Sequence, residues 1–138
     1  MENNSHPKLE IRDLRVEYDS KGQRTVALEN VQLKVEDGEF VSVVGPSGCG
    51  KSTLLKVVSG LLKPAGGHAF LDGQEIQGVP SQVGMVFQND ALLPWKSVID
   101  NVRLPLEIKG LAKDKQLEEA NRLLKMVGLD GFSSYHPK

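Results

Sequence analysis

Cysteine occurs once in these 138 residues, at Cys49. One thiol cannot form an intramolecular disulfide, which suits a reducing compartment. A charge excess is also lacking: 17 Lys and Arg stand against 18 Asp and Glu, a net charge of −1. A nucleic-acid partner ordinarily needs a basic surface, so this balance supports none and leaves only a local basic patch open. No run approaches the ~18 apolar residues of a membrane-spanning helix. The polar start Met1–Pro7 lacks the apolar core of a signal peptide. The expectation is a cytosolic chain, or one attached to a membrane only through a partner. His6, His68 and His136 have no metal-ligand spacing and read as surface or strand residues. The length suffices for one domain with a core.

What is present is glycine in a particular order. Gly45-Pro46-Ser47-Gly48-Cys49-Gly50-Lys51-Ser52 fits G-x-x-x-x-G-K-[ST], the phosphate-binding loop of P-loop NTPases. Glycines let successive backbone N–H groups curl round an anion. Lys51 can reach the β- and γ-phosphates, and the Ser52 hydroxyl can ligate Mg²⁺. A helix starting at the lysine aims its positive end at the same anion. The flanks agree with the motif. Phe40-Val41-Ser42-Val43-Val44 is an apolar run that predicts a buried strand ending at the loop. Thr53 to Ser59 carries Leu54, Leu55, Val57 and Val58 and predicts a helix, 52–59, ended by Gly60. Cys49 within the loop reads either as a reactive thiol or as a small filler, and the second is preferred.

Elsewhere the pattern is β-rich, then helical. Residues 8–44 carry nearly alternating apolar positions: Leu9, Ile11, Leu14, Val16 and Tyr18, then Val26, Leu28, Val31, Leu33 and Val35, broken at Glu29-Asn30. Asp19 to Arg24, containing Gly22, predicts a turn, and Asp37-Gly38 a hairpin turn into the strand before the loop. Lys63-Pro64-Ala65-Gly66-Gly67 is a breaker cluster. His68 to Leu71 predicts a short strand closed by a turn at Asp72-Gly73, and Val83 to Phe87 a further buried strand. Ser97 and Asp100 resemble a capping box opening a helix towards Lys109, broken by Gly110. Leu117, Ala120, Leu124 and Val127 predict one buried helical face. Gly128 with Leu129 predicts a glycine cap. The tail after Gly131 has no periodicity.

Four features then line up: the loop with Thr53-Leu54-Leu55 and Ser59-Gly60-Leu61 behind it; Tyr18 on the upstream β segment; Gly66-Gly67 and Leu71-Asp72-Gly73; and Val86-Phe87-Gln88 with Leu92-Leu93-Pro94-Trp95. Together they resemble the nucleotide-binding domain of ATP-binding cassette (ABC) transporters, from about Leu9 to Lys138. Asn89 to Val102 and Val127-Gly128-Leu129 look most like the ATPases of nitrate, sulfonate and taurine importers. The resemblance implies an α/β fold: a P-loop NTPase core with an N-terminal antiparallel β subdomain and the start of a helical subdomain, incomplete at the C-terminus. In that frame 1–138 is one partial domain, with 8–44 the β subdomain, 45–88 the core and 89–138 the start of the helical part.

The resemblance also assigns roles. Tyr18 matches the aromatic residue that stacks on adenine, although from the residues alone it reads as a Tyr on an amphipathic strand. Gly45, Ser47, Gly48, Cys49, Gly50, Lys51, Ser52 and Thr53 match the phosphate cradle. Lys51 and Gln88 match catalytic positions, and Ser52 and Gln88 match Mg²⁺ contacts; by itself Gln88 is a polar strand-end residue. ATP and Mg²⁺ are the implied cofactors. A transmembrane permease and a second ATPase subunit are the implied partners, on the inner face of the cell membrane. The apolar stretch Ala91 to Trp95 either docks on the permease or packs under the helix.

A family member carries further parts: a Leu-Ser-Gly-Gly signature, a hydrophobic strand ending in Asp-Glu, and a switch histidine. None occurs among these 138 residues. Ala69-Phe70-Leu71-Asp72 imitates the acidic strand but reads better as a strand entering a turn. The expectation is the N-terminal part of a longer ATPase, cut by truncation or an early stop, able to bind ATP–Mg²⁺ and poor at hydrolysing it. Its unpartnered phosphate-loop strand would leave an apolar sheet edge open. The alternatives are a stand-alone nucleotide- or partner-binding module without catalysis and, less favoured, a small P-loop kinase.

Overall fold

Alternating strands interrupted by bulges explain the first half of the chain. The computed structural model describes residues 6–20, 22–89 and 91–137. Met1–Ser5 of the polar start, Lys21 of the first turn, Asp90 and Lys138 lie outside the described residues. Strand β1 (Leu9–Ser20) pairs antiparallel with β2 (Gln23–Val35) and, on its other edge, with β3 (Gly66–Leu71). β3 turns back into the short β4 (Gln74–Glu75), giving the sheet order β2-β1-β3-β4. Asp13 and Asn30 both sit at positive φ, 48° and 51°, where the β1–β2 register slips. Asp and Asn tolerate that region best among residues with a side chain. Each slip inserts one residue, so Ile11, Leu14 and Val16 all reach the same buried face despite their unequal spacing. Gly67 is required beside the first bulge: a Cβ there would lie 2.3 Å from the Asp13 carbonyl oxygen.

The turn at Asp72-Gly73 forms as expected. Both residues have positive φ, 50° and 74°, and Leu71 pairs with Gln74 across a two-residue loop, the geometry favoured in hairpins. Helix α1 (Lys51–Val58) lays Leu54 and Val57, one turn apart, onto Ile11, Leu14, Val16 and Ala69. Gly60 ends it: Gly60 N–H bonds Val57 O and Leu61 N–H bonds Lys56 O, the paired closure of a Schellman cap.

Two expected strands are absent. Residues 40–44 and 83–87 are irregular, with Phe40 91%, Val44 91% and Val86 97% exposed. A buried strand takes its ladder and its covered faces from segments far away in sequence. Among the described residues no strand lies beside either run. An apolar composition without a partner cannot hold the extended conformation. The β-rich region therefore ends at Val35, not at residue 44. The Asp37-Gly38 turn forms, with Glu39 N–H on Glu36 O, but leads into no strand.

The chain divides into two compact units, Met1–Met85 and Val86–Lys138. In the second, α2 (Val98–Ile108) and α3 (Lys113–Met126) pack together, followed by a 3₁₀ turn, Asp130–Phe132. Gly110 and Gly128 close both helices with the same pair of bonds that closes α1. The buried face of α3 is Gln116, Ala120 and Leu124; Leu117 and Val127 are exposed, contrary to expectation. Gln116 is satisfied in place, donating to Leu111 O at 2.7 Å and accepting from Arg103 at 3.3 Å. A satisfied Gln116 thus shares the buried face with Ala120 and Leu124. The fold is thus α/β, with the antiparallel sheet and helical segments formed and the two runs at 40–44 and 83–87 left irregular.

Candidate functional site

Helix α1 begins without a cap. Its N-cap is Gly50, at φ 97°, and no side chain bonds the first turn. The first helical bond runs from Leu54 N–H to Gly50 O at 2.9 Å. The N–H groups of Lys51, Ser52 and Thr53 therefore precede the ladder, and none has an acceptor among the described residues. Gly50 is pressed onto β2: a Cβ there would meet Ala27 O at 2.9 Å and Leu28 Cδ2 at 2.7 Å. The sheet thus fixes where the helix starts and which way its free donors point.

The loop closes over itself through Lys51. Its ammonium donates to Gly45 O at 2.8 Å and Pro46 O at 2.6 Å, with Cys49 Sγ 3.6 Å away. Cys49 N–H bonds Pro46 O at 3.4 Å, and Gly45 lies so near Cys49 Sγ that a Cβ would fall 2.8 Å from it. Gly48, at φ 81°, has nothing within 4 Å of where a Cβ would sit. Three free N–H donors, one ammonium and an open glycine edge can bind a compact anion. Ser47 and Ser52 sit exposed on the same loop and first helical turn.

Tyr18 is brought to this place, although 35 positions separate it from Thr53: its hydroxyl lies 3.2 Å from Thr53 Oγ1. The ring stands at the rim, 40% exposed. Gln88 belongs to the second unit, where it is exposed. Among the described residues no three His, Cys, Asp or Glu side chains gather as a metal cluster. His68 bonds Glu75 across β3 and β4, and that contact, reinforced by Gln77, holds the Glu75 carboxyl below its ordinary range.

The second unit contains a helix start of the opposite kind. Ser97 caps α2: its Oγ accepts from Asp100 N–H at 3.3 Å and donates to Asp100 Oδ2 at 2.6 Å. The hydroxyl, more than Arg103 and Lys96, holds the Asp100 carboxyl below its usual range. Val98 N–H donates to Tyr135 O at 2.7 Å and Ile99 N–H to Ser133 O at 3.0 Å. The aperiodic tail therefore closes this helix. Asn101 accepts from Leu93 N–H at 2.8 Å and donates to Leu93 O, Lys96 O and Ser97 O at 3.0 to 3.1 Å, fastening the Leu93–Ser97 turn. Sequence reasoning missed Asn101. The available signal was an Asn beside a capping box, where side-chain amides commonly bond backbone. Trp95, in that turn, is exposed, as is Leu92. Among the described residues no helix is long and apolar enough to cross a membrane.

Comparison with known proteins agrees with this arrangement. The profile of the ABC transporter family matches residues 28–137. An ABC transporter ATP-binding protein of Methanocaldococcus jannaschii, itself uncharacterized, is 44% identical over 130 residues, covering 94% of this chain and 49% of that protein. The taurine import ATP-binding protein TauB of Pseudomonas aeruginosa is 40% identical over 126 residues, covering 91% and 48%. The nitrate import ATP-binding protein NrtD of Synechocystis is 42% identical over 130 residues, covering 94% and 49%. The chain thus spans about half the length of the curated relatives it matches. Among solved structures, the dimeric post-hydrolysis state of the ATP-binding cassette MJ0796 bound to ADP and Pi superimposes with a TM-score of 0.81 at 31% identity, over 94% of this chain and 61% of that one. With the family profile matched over most of its length, the chain belongs to the ABC transporter family.

Proposed function

We propose that these residues are the N-terminal portion of the ATP-binding subunit of an ABC importer, and that the loop 45–52 with the start of α1 is its ATP cradle. The observation that carries the reading is the uncapped first turn: three free N–H donors beside Lys51, on a helix start fixed by Gly50 against β2. In this reading Lys51 exchanges its contacts with Gly45 O and Pro46 O for phosphate oxygens. Gly45, Ser47, Gly48, Cys49, Gly50 and Thr53 shape the cradle, and Tyr18 offers its ring face to adenine. Ser52 and Gln88 are the residues that would hold Mg²⁺, which supplies charge neutralisation on the phosphoryl oxygens. Lys51 and Gln88 act at the reacting phosphate, the first by charge and the second by orienting water.

The taurine and nitrate importers among the relatives support an importer parent for small sulfonate, taurine or nitrate solutes. A transmembrane permease would meet the Trp95 turn, and a second ATPase subunit would complete the site, at the inner face of the cell membrane. The sequence carries the cradle without the family's strand ending in Asp-Glu, and in this reading the stretch binds ATP–Mg²⁺ and turns it over slowly. Calorimetric titration of Lys51→Ala tests the reading. Its affinity for ATP falls about 10- to 100-fold, the scale of a lost charged hydrogen bond, while adenosine binding stays within about two-fold. Equal loss for both ligands overturns it, because the lysine then only supports the fold.

A further inference from the structure

The contact between Tyr18 and Thr53 joins two parts of the site that the sequence keeps far apart. Tyr18 lies near the turn end of the β1–β2 hairpin, opposite Thr25, with two further strand pairs before the turn. An exposed ring at such a position, with no partner of its own, samples several rotamers. The Tyr18 hydroxyl, however, is within hydrogen-bond distance of Thr53 Oγ1 at 3.2 Å. Thr53 is the third residue of α1, whose start is fixed by Gly50 against the Ala27 carbonyl and Leu28. Three points are therefore tied in series: β2 to the helix start, the helix start to Thr53, and Thr53 to the tip of the tyrosine. A threonine hydroxyl has one donor and two acceptor sites, so this bond leaves Thr53 capacity for another partner.

We propose that the hydroxyl pair is a positioning contact, which sets the Tyr18 ring at a fixed height and angle beside the phosphate loop. Base and polyphosphate of a purine nucleoside triphosphate then meet a site assembled as one piece. The inference rests on the nucleotide-binding reading above and adds to it a role for the hydroxyl that is separate from the ring face. Ordering the ring before binding removes a rotamer cost at the moment of association.

The test has a ligand-free arm and a ligand arm. The chain contains two tyrosines, Tyr18 and Tyr135, so fluorotyrosine labelling gives two ¹⁹F resonances, assigned by the loss of one in Tyr18→Phe. In the ligand-free protein Thr53→Val shifts and broadens the Tyr18 resonance, leaves Tyr135 in place, and Thr53→Ser restores the shift. By calorimetry Tyr18→Phe, which keeps the ring, weakens ATP by about five-fold, the scale of one neutral hydrogen bond. It weakens tripolyphosphate less, so the ratio of the two affinities falls. Tyr18→Phe combined with Thr53→Val loses no more of that ratio than either alone, as expected for two ends of one bond. An unmoved Tyr18 resonance in Thr53→Val overturns the contact whatever the nucleotide results. A moved resonance with an unchanged affinity ratio in Tyr18→Phe, or with additive losses, overturns the positioning role. If wild-type chain binds neither ATP nor tripolyphosphate while the resonance still responds, the nucleotide reading itself has failed and the positioning role falls with it.

Discussion

Helices α1 and α2 begin in opposite ways, and the contrast separates function from stability within one chain. At α2 every N–H of the first turn has an acceptor: Tyr135 O for Val98, Ser133 O for Ile99 and Ser97 Oγ for Asp100. At α1 the three equivalent N–H groups have none among the described residues, the N-cap is a glycine, and a lysine stands where an acid would favour the helix end. A cap contributes about 1 kcal/mol, so the bare start of α1 is a loss the fold carries. The same helix end that costs stability is an anion site. A closed helix start belongs to packing; an open one with an adjacent cation belongs to ligand binding.

The most disruptive way to break the contrast is to disturb the open end. Gly50→Ala puts a Cβ 2.9 Å from a backbone carbonyl and 2.7 Å from Leu28, at a φ of 97°. Strain of about 1–3 kcal/mol should be relieved by moving the loop off β2. Titration should show ATP affinity reduced by about tenfold or more. Hydrogen exchange of the α2 and α3 amides should stay as in wild type. Unchanged ATP binding would show that the loop does not need its seat on β2.

At the closed end the largest effect belongs to Asn101→Ala. It removes four bonds to the Leu93–Ser97 turn and leaves the Leu93 N–H to find another acceptor. A loss of about 2–3 kcal/mol in the helical unit is expected, read as faster exchange at Leu93 and along the first turn of α2. Nucleotide affinity should change by less than about two-fold. A larger change in ATP affinity than in local exchange would contradict the division of labour.

How much of this could be read beforehand follows from where each signal resides. The hairpin at Asp72-Gly73, the capping box at Ser97 and Asp100, and the three glycine closures were legible because one or two local residue types dictate each geometry. The bulges at Asp13 and Asn30 were half legible: the break at Glu29-Asn30 showed in β2, and the unequal step from Ile11 to Leu14 showed only as imperfect alternation. The runs 40–44 and 83–87 misled, because an apolar β-branched stretch has the same composition whether or not its partners are present. Tail residues Ser133 and Tyr135 act on α2 through their carbonyl groups, which every residue has, so no pattern could announce them. The phosphate loop was clear from its spacing. That Tyr18 reaches it through Thr53 was not, since the contact depends on the register of β1 and the placing of α1 together.

A smaller effect comes from Ser97→Ala, and it also carries a pH signature. Loss of the cap should destabilise the helical unit by about 1 kcal/mol at neutral pH. In the folded state the Asp100 carboxyl titrates below its ordinary range, first because Ser97 donates to it and then through the charges of Arg103, Lys96 and His136. A depressed carboxyl contributes stability that is fully present above its unfolded pKa, about 3.9, and is lost as pH falls through the lower folded value. The difference between wild type and Ser97→Ala should therefore be flat from neutral pH down to about 5 and should shrink below about 4. The backbone acceptors Tyr135 O and Ser133 O do not titrate, so part of the closed end survives in acid and α2 should remain helical there. Exchange rates across α2 measured over this range decide the point. A gap that widens on acidification would mean that Asp100 opposes the cap and that closure rests on the tail carbonyls alone.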